Sequence, residues 1–513
     1  MPESKDYAKR LVKGSTIVFA AFIASEVIGV FLRMILARSL TVPEYGLFYA
    51  VFSLVSLFAL FRDPGISSSL TKHIAEFTVH KRFAKIKSSI VFSLIVQVIA
   101  GLVISAMLFI FSDYIALAIF KTPIASLPLR ILSVWFLVEA FRSLLSSMSQ
   151  GFQNMPILAL FNFTDVLLIF LFATCFVGIL GLGLNGVALA YPLATISVSI
   201  FGIAFFVKRY RHVFQKKVSI TKPLVKKLLV FALPVFLGGF GGLILTYTDT
   251  LTLTIFRTLT EVGYYQAAQP SARILWYIPT TLTVVLYPMI SELWAKKDKK
   301  LLGRALHFLI KFSFILIMPA ALVFIAFPEI VINLLFGSSY LAGVVVLQIF
   351  GVAALLYVVY DILVTVIAGI GRPGTTAKIV GAMAVFNLIG DIVLVPIYGI
   401  EGAATTTFVA FLLGVILLIY YARKFIGFTV PAAPLLKSMM GGILTLILIL
   451  GLKSILPLSP WPKTFAVMIP SLLFYGTWIL ATRAITKDDL RFIKEIVPIP
   501  GWLAKVARKI FKE

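Results

Sequence analysis

The sequence predicts an all-α integral membrane protein. About fourteen transmembrane helices are expected: two parallel six-helix repeats forming N- and C-lobes around a central cavity, plus two C-terminal helices. Three observations predict this. The chain is 60% hydrophobic with a mean hydropathy of +1.04, and only 13% of its 513 residues are charged, too few to coat a water-soluble surface. Apolar stretches of about 20 residues recur from end to end, each long enough to cross a hydrocarbon core of about 30 Å. The chain also repeats itself. Arg38-Ser-Leu-Thr-Val-Pro-Glu-Tyr-Gly46 returns as Arg257-Thr-Leu-Thr-Glu-Val-Gly263, and Gly183-Leu-Asn-Gly186-Val-Ala188 returns as Gly399-Ile-Glu-Gly402-Ala-Ala404. The offsets are 219 at the arginines, 217 at Gly46 and Gly263, and 216 at Gly186 and Gly402, so the duplicated unit is about 217 residues, far longer than a solenoid repeat.

The spans fall in order at 14–36, 46–68, 88–111, 126–148, 156–180, 184–207, 228–256, 262–291, 305–327, 341–370, 376–397, 400–422, 437–456 and 463–483. Continuously apolar runs lack the alternation of an outer-membrane barrel. Residues 1–207 hold the first six spans and form the N-lobe, 208–227 is a basic linker, and 228–422 holds spans seven to twelve of the C-lobe. Spans thirteen and fourteen lie in 423–483, and 484–513 is a basic amphipathic tail. An even number of spans per repeat makes the two halves parallel, related by an axis along the membrane normal. Two such halves rocking about a shared site imply a transporter.

Charge sets the orientation. Of the 46 Lys and Arg residues, 35 fall at the termini and in the loops of one side, 5 in the loops of the other, and 6 inside spans. This bias puts both termini in the cytoplasm and the protein in the cytoplasmic membrane. The net charge of +25 is therefore a topology signal. It implies anionic lipid headgroups as partners and excludes nucleic acid, because the bases sit at helix ends.

Several chemistries are excluded. The one cysteine, Cys175, lies inside a span, so there is no disulfide framework. His73, His80, His212 and His307 have no metal-ligand spacing, and no Walker A, GxSxG or HExxH motif is present. An enzyme is not expected. A membrane glycosyltransferase or polymerase needs an acidic constellation on substantial outer loops, whereas those near 112–125 and 328–340 are short and mostly apolar.

Leu36-Ala-Arg-Ser-Leu-Thr-Val-Pro-Glu-Tyr-Gly-Leu-Phe48, Phe336-Gly-Ser-Ser-Tyr340, and the run from Asn387 through Tyr398-Gly-Ile-Glu-Gly-Ala-Ala404 together resemble polysaccharide flippases. These belong to the multidrug/oligosaccharidyl-lipid/polysaccharide exporter superfamily. The resemblance covers essentially the whole chain and rests on the order and spacing of the motifs. It implies movement of a lipid-linked oligosaccharide from the inner to the outer leaflet by alternating access, with one chain as a complete transport unit. The alternative within the superfamily is a cation-coupled multidrug exporter. Such exporters usually have twelve spans and acidic cavities, whereas the unpaired charges here lean basic.

Charges inside spans are costly and usually face a cavity or a partner. Arg273 lies 11 residues past Val262, about 16 Å deep at 1.5 Å per residue, with no sequence neighbour to pair with. Arg33, Arg130 and Arg142 are further candidates, although Glu139 is three residues from Arg142 on one helix face. For the polyprenyl-pyrophosphate carrier that the resemblance implies, guanidinium offers bidentate, permanently charged binding.

A second set is acidic. Asp249, Asp391 and Thr407 each lie about 10 Å below the outer surface, and Asn387 is one turn from Asp391. Two carboxylates, an amide oxygen and a hydroxyl are hard ligands for a small hard cation. Flippases of the cell-wall precursor lipid have a sodium site of this composition on helices 7, 11 and 12. The matching positions here are Asp249, Asn387, Asp391 and Thr407, with the Ala403 carbonyl. Sodium, or a proton on Asp391 or Asp361, is the expected coupling ion, with no other cofactor. One repeat length earlier, the corresponding positions are 30–32, 173–175 and 189–191, none of them acidic, so the set belongs to the second repeat alone. The structural alternative is that these acids pair with Arg273 or Arg257.

Overall fold

The computed structural model describes residues 2–457, 460–486 and 489; for 2–17, 278, 281–282, 284–288 and 460–461 it describes the backbone alone. Of the tail expected at 484–513, only 484–486 and 489 are among the described residues. Every regular element among the described residues is a helix. The long helices of the first repeat are α1 (Pro2–Ser39), α2 (Val42–Leu57, continued by Ala59–Arg62), α3 (Phe83–Ile110), α4 (Ser126–Gly151), α5 (Met155–Ala173) and α6 (Gly183–Arg209). The second repeat begins with α7 (Lys222–Phe256), α8 (Leu259–Arg273 and Tyr277–Ala295), α9 (Lys299–Ala326) and α10 (Val344–Gly369). It continues through Pro373–Ile426, and α13 (Ala432–Ile455) and α14 (Pro460–Ala481) follow.

The segment Pro373–Ile426 is 54 residues long and holds two helices, because Gly399 at φ 56°, ψ −130° reverses the chain. This backbone conformation is essentially restricted to glycine. We number the two helices α11 (373–398) and α12 (400–426). Gly183, its counterpart in the first repeat, has φ 53° at the start of α6. The repeated glycines thus mark the same turn in each repeat.

Twelve described segments are apolar and long enough to cross a membrane, and one of these is the α11–α12 pair. α8 brings the total to fourteen and differs from the continuous span expected at 262–291. Pro270 sits in its first half, and a 3₁₀ turn at Ile274–Trp276 separates that half from the second. Pro279, the third residue of the second half, cannot donate to the Leu275 carbonyl and its ring crowds that turn, which favours the interruption.

The repeated motif is also a repeated cap. Thr41 and Glu44 form a capping box at the start of α2. At the matching place in the second repeat, the start of α8, the Thr258 hydroxyl accepts from the Glu261 amide at 3.3 Å. Each satisfies donors that a helix start leaves open.

By proximity the described residues form two compact units: those of 2–268, 332–343 and 380–410, and those of 269–331, 344–379 and 411–489. In the first, α1 packs on α5, and α4 on α3 and α6. Leu70, Ile74, Phe77, Leu145 and Phe206 centre its core where Ile66–Val79 packs on α3, α4 and α7. In the second, α9 packs on α10 and on α13, with Phe314, Met318, Val467 and Tyr475 in its core. Large apolar side chains also point outward, including Ile110 (70% exposed), Phe201 (71%) and Leu473 (66%). An apolar surface of this extent requires hydrocarbon as its solvent. The chain is a multi-pass membrane protein.

Candidate functional site

Within the first compact unit, α7, α11 and α12 bring Asp249, Asn387, Asp391 and Thr407 together, all 5% exposed or less. The turn at Gly399 is the reason. Asp391 lies eight residues before it and Thr407 eight after, so the antiparallel helices place them at one level. Asn387 joins from the next turn of α11.

The Thr407 hydroxyl donates to Asp249 Oδ2 at 2.7 Å and accepts from Asn387 Nδ2 at 3.2 Å. Tyr265 on α8 also donates to Asp249 Oδ2. Asp391 is held by the Thr406 hydroxyl at Oδ1 and, at 3.4 Å, by Thr252 at Oδ2. The Ala403 carbonyl lies 2.8 Å from the Thr406 hydroxyl. Two oxygens are left over: Asp249 Oδ1 and Asn387 Oδ1 are buried and have no hydrogen-bond donor. Both are acceptors, so each calls for a proton, a hydrogen-bond donor or a cation. The donor set is all oxygen, the kind hard cations prefer. Among the described residues no group of three or more His, Cys, Asp or Glu side chains is placed to hold a metal ion, here or elsewhere, and this site brings together two carboxylates.

Neither acid is ion-paired among the described residues, because Arg257 is taken by Glu261 at 2.8 Å. Sequence reasoning missed Thr252, Tyr265 and Thr406. Thr252 is three residues from Asp249, and Thr406 adjoins Thr407, so local spacing could have found both. Tyr265 comes from a different helix and carried no such signal.

The four arginines divide into two kinds. Arg142 holds Glu139 through Nε at 2.7 and 2.8 Å, with Asp165 at 3.8 Å. Thr195 donates to Asp165 at 3.3 Å and Trp135 to Thr195 at 3.2 Å, so this cluster in the first repeat is internally paired. Arg130 pairs with Asp113 at 2.7 Å and donates to Ser112 at 2.7 Å. Arg33 and Arg273 have no carboxylate partner among the described residues. Arg33 lies over the Tyr49 ring at 4.3 Å and reaches the Gln266 carbonyl at 3.5 Å. Arg273, in the second unit, lies 5.5 Å from the Trp276 ring, and its Nε is buried without a partner. Asp361, in the same unit, accepts from Thr283 at 3.1 Å. Lys311 is committed to Asp489, and Arg62 to the Phe136 carbonyl at 3.0 Å.

Comparison with known proteins agrees with this architecture. The family described as polysaccharide biosynthesis protein matches residues 11–294. An uncharacterized membrane protein of Methanocaldococcus jannaschii is 28% identical over 503 residues, covering 96% of this chain and 98% of its own length. The probable low-salt glycan biosynthesis flippase Agl15 of Haloferax volcanii is 22% identical over 51% of this chain and 56% of its own. Stage V sporulation protein B of Bacillus subtilis is 21% identical over 96% of this chain and 98% of its own. Among solved structures, the lipid II flippase MurJ in an inward closed conformation superposes with a TM-score of 0.72 at 18% identity, covering 92% of this chain and 99% of that one. An inward-facing multidrug resistance MATE transporter superposes at 0.67 and 19% identity over 78% and 94%. With fourteen long helices among the described residues, a duplicated six-helix unit in its sequence and a family match over more than half its length, this chain belongs to the polysaccharide biosynthesis protein family.

Proposed function

We propose that this flippase moves a polyprenyl-(pyro)phosphate-linked oligosaccharide from the inner to the outer leaflet of the cytoplasmic membrane by alternating access. Both termini are cytoplasmic in this reading, as the 35-to-5 distribution of bases supports. Arg273 binds the carrier's phosphates, since no acid among the described residues neutralises its guanidinium, and Arg33, in the other unit, is a separate candidate on the same ground. Arg130 and Arg142, already paired, hold the scaffold.

Transport is coupled to sodium bound by Asp249, Asn387, Asp391 and Thr407. The observation that carries this reading is the pair of donorless buried oxygens, Asp249 Oδ1 and Asn387 Oδ1. With two carboxylates and one monovalent charge, one acid carries a proton. Coupling requires that sodium bind one of the two access states more tightly than the other. The site uses α7, α11 and α12 together, so any step that parts these helices changes its affinity.

Thermal unfolding of the purified protein, titrated with sodium chloride against choline chloride, tests the site. A ligand at about one hundred times its Kd stabilises by about 2.7 kcal/mol. Wild type should gain this stabilisation and Asp391→Asn should not. Equal responses of both proteins to the two salts would refute the sodium site. A cation-coupled multidrug exporter is the alternative reading, and export of a cationic dye undiminished in Arg273→Ala would favour it.

A further inference from the structure

The repeated motif does more than cap two helices. Gly46 is four residues into α2, and Gly263 is four residues into α8. A Cβ on Gly46 would collide with the Leu259 carbonyl oxygen and lie 2.7 Å from the Gly263 nitrogen. A Cβ on Gly263 would lie 2.5 Å from the Val42 carbonyl oxygen and 2.8 Å from Val42 Cγ1. Val42 and Leu259 are the first residues of their helices and, like the glycines, are equivalent positions of the two repeats. Each glycine therefore receives the first carbonyl of the other helix, and the crossing is symmetric under exchange of the repeats. All four residues lie in the first compact unit.

Two clamps flank the crossing in that unit. On one side Arg38 donates to the Leu334 carbonyl at 2.6 Å, and Tyr340 to the Ala37 carbonyl at 3.2 Å. On the other Lys121 donates to the Ile255 carbonyl at 2.8 Å. In each clamp, a side chain beyond the third long helix of one repeat bonds a carbonyl at the end of the first helix of the other. One clamp is two hydrogen bonds and the other is one, all to neutral acceptors and easily exchanged for water. The glycine crossing has no such substitute, because its close approach depends on the absence of two side chains.

We infer that Gly46 and Gly263 are positioning residues of an outer gate, and that side-chain volume at these positions sets how completely the outer end closes. This rests on the transporter reading and the topology given above. The gate closes by backbone contact at the glycines and is fastened by Lys121, Arg38 and Tyr340. An added methyl group meets main-chain atoms, which no neighbouring rotamer can relieve, so it holds the gate ajar.

The test needs no substrate. Ser53 is buried seven residues after Gly46, on the same face of α2 and two turns further from the gate. A Ser53→Cys reporter in a Cys175→Ser background is labelled in sealed, right-side-out vesicles with a membrane-impermeant maleimide. Gly46→Ala and Gly263→Ala should each raise the labelling rate about tenfold, the effect of a shift of about 1.4 kcal/mol toward the open gate. Gly29→Ala, where an added Cβ meets nothing within 4 Å, should leave the rate unchanged. Should Gly46→Ala and Gly263→Ala fail to fold, Lys121→Met combined with Tyr340→Phe, which adds no volume, should raise labelling about threefold. Folded glycine variants labelled at the wild-type rate, or no rise in the clamp variant, would overturn the gate. Loss of flipping with unchanged labelling would count against the gate and leave the flippase reading intact.

Discussion

The two repeats share a backbone plan but treat charge differently. In the first, Glu139, Arg142 and Asp165 form a closed ionic set, with Thr195 and Trp135 completing it. In the second, Asp249 and Asp391 share a buried site with no ion pair among the described residues, and two acceptor oxygens have no donor there. The first copy's equivalent positions, 30–32, 173–175 and 189–191, carry no acid. Duplication thus reproduced what the backbone needs: the Thr-Glu caps, the turn glycines and the glycine crossing. A buried charge is tolerated only when something compensates it. The first repeat compensates internally, and in the proposed function the second leaves that role to a cation.

This contrast is open to attack by mutation. The largest effect is expected at the second repeat's acids: Asp249→Asn or Asp391→Asn should abolish sodium-dependent flipping of a fluorescent polyprenyl-diphosphate disaccharide in proteoliposomes. The folded state should survive, because the amide preserves shape. Next, Arg142→Ala should destabilise the protein by about 3 kcal/mol, since it strands Glu139 and Asp165 in the span. Thermal unfolding reads that loss, while the sodium response of the surviving protein stays as in wild type. A sodium response lost in Arg142→Ala would erase the distinction between the repeats.

Arg273→Ala should lower flipping about tenfold or more, and Arg273→Lys less, because lysine keeps the charge without the bidentate fork. Full activity of Arg273→Ala would remove it from the phosphate site. The smallest effect is expected at Tyr265. Its hydroxyl donates to Asp249 and fixes that carboxylate's orientation, so Tyr265→Phe should weaken sodium affinity about fivefold, close to 1 kcal/mol, in the salt titration. Unchanged affinity would place Tyr265 outside the ion's surroundings.

Much of this architecture is legible in the sequence because hydrocarbon imposes simple rules. Each span is an uninterrupted apolar run, and a helix rises by a fixed amount per residue. Counting residues from the helix ends therefore puts Asp249, Asp391 and Thr407 at one depth, and the structure brings them together. Rotation about a helix axis is not written in such counts. That is why Tyr265 went unnoticed, and why the pairing of Arg130 with Asp113, on the far side of a turn, was not foreseen. The interruption of α8 was hidden for another reason. Pro279 signals it, but prolines also sit within α6, α7 and α9, so proline alone does not say which helix breaks.

The central claim is that the acids of the second repeat couple transport to a cation. The most direct measurement is flipping of the labelled disaccharide lipid in proteoliposomes under an imposed sodium gradient, its reverse, and none, for wild type and Asp391→Asn. The account predicts a wild-type rate that follows the direction of the gradient and an Asp391→Asn rate that does not. Equal wild-type rates under all three conditions, with Asp391→Asn fully active, would contradict it.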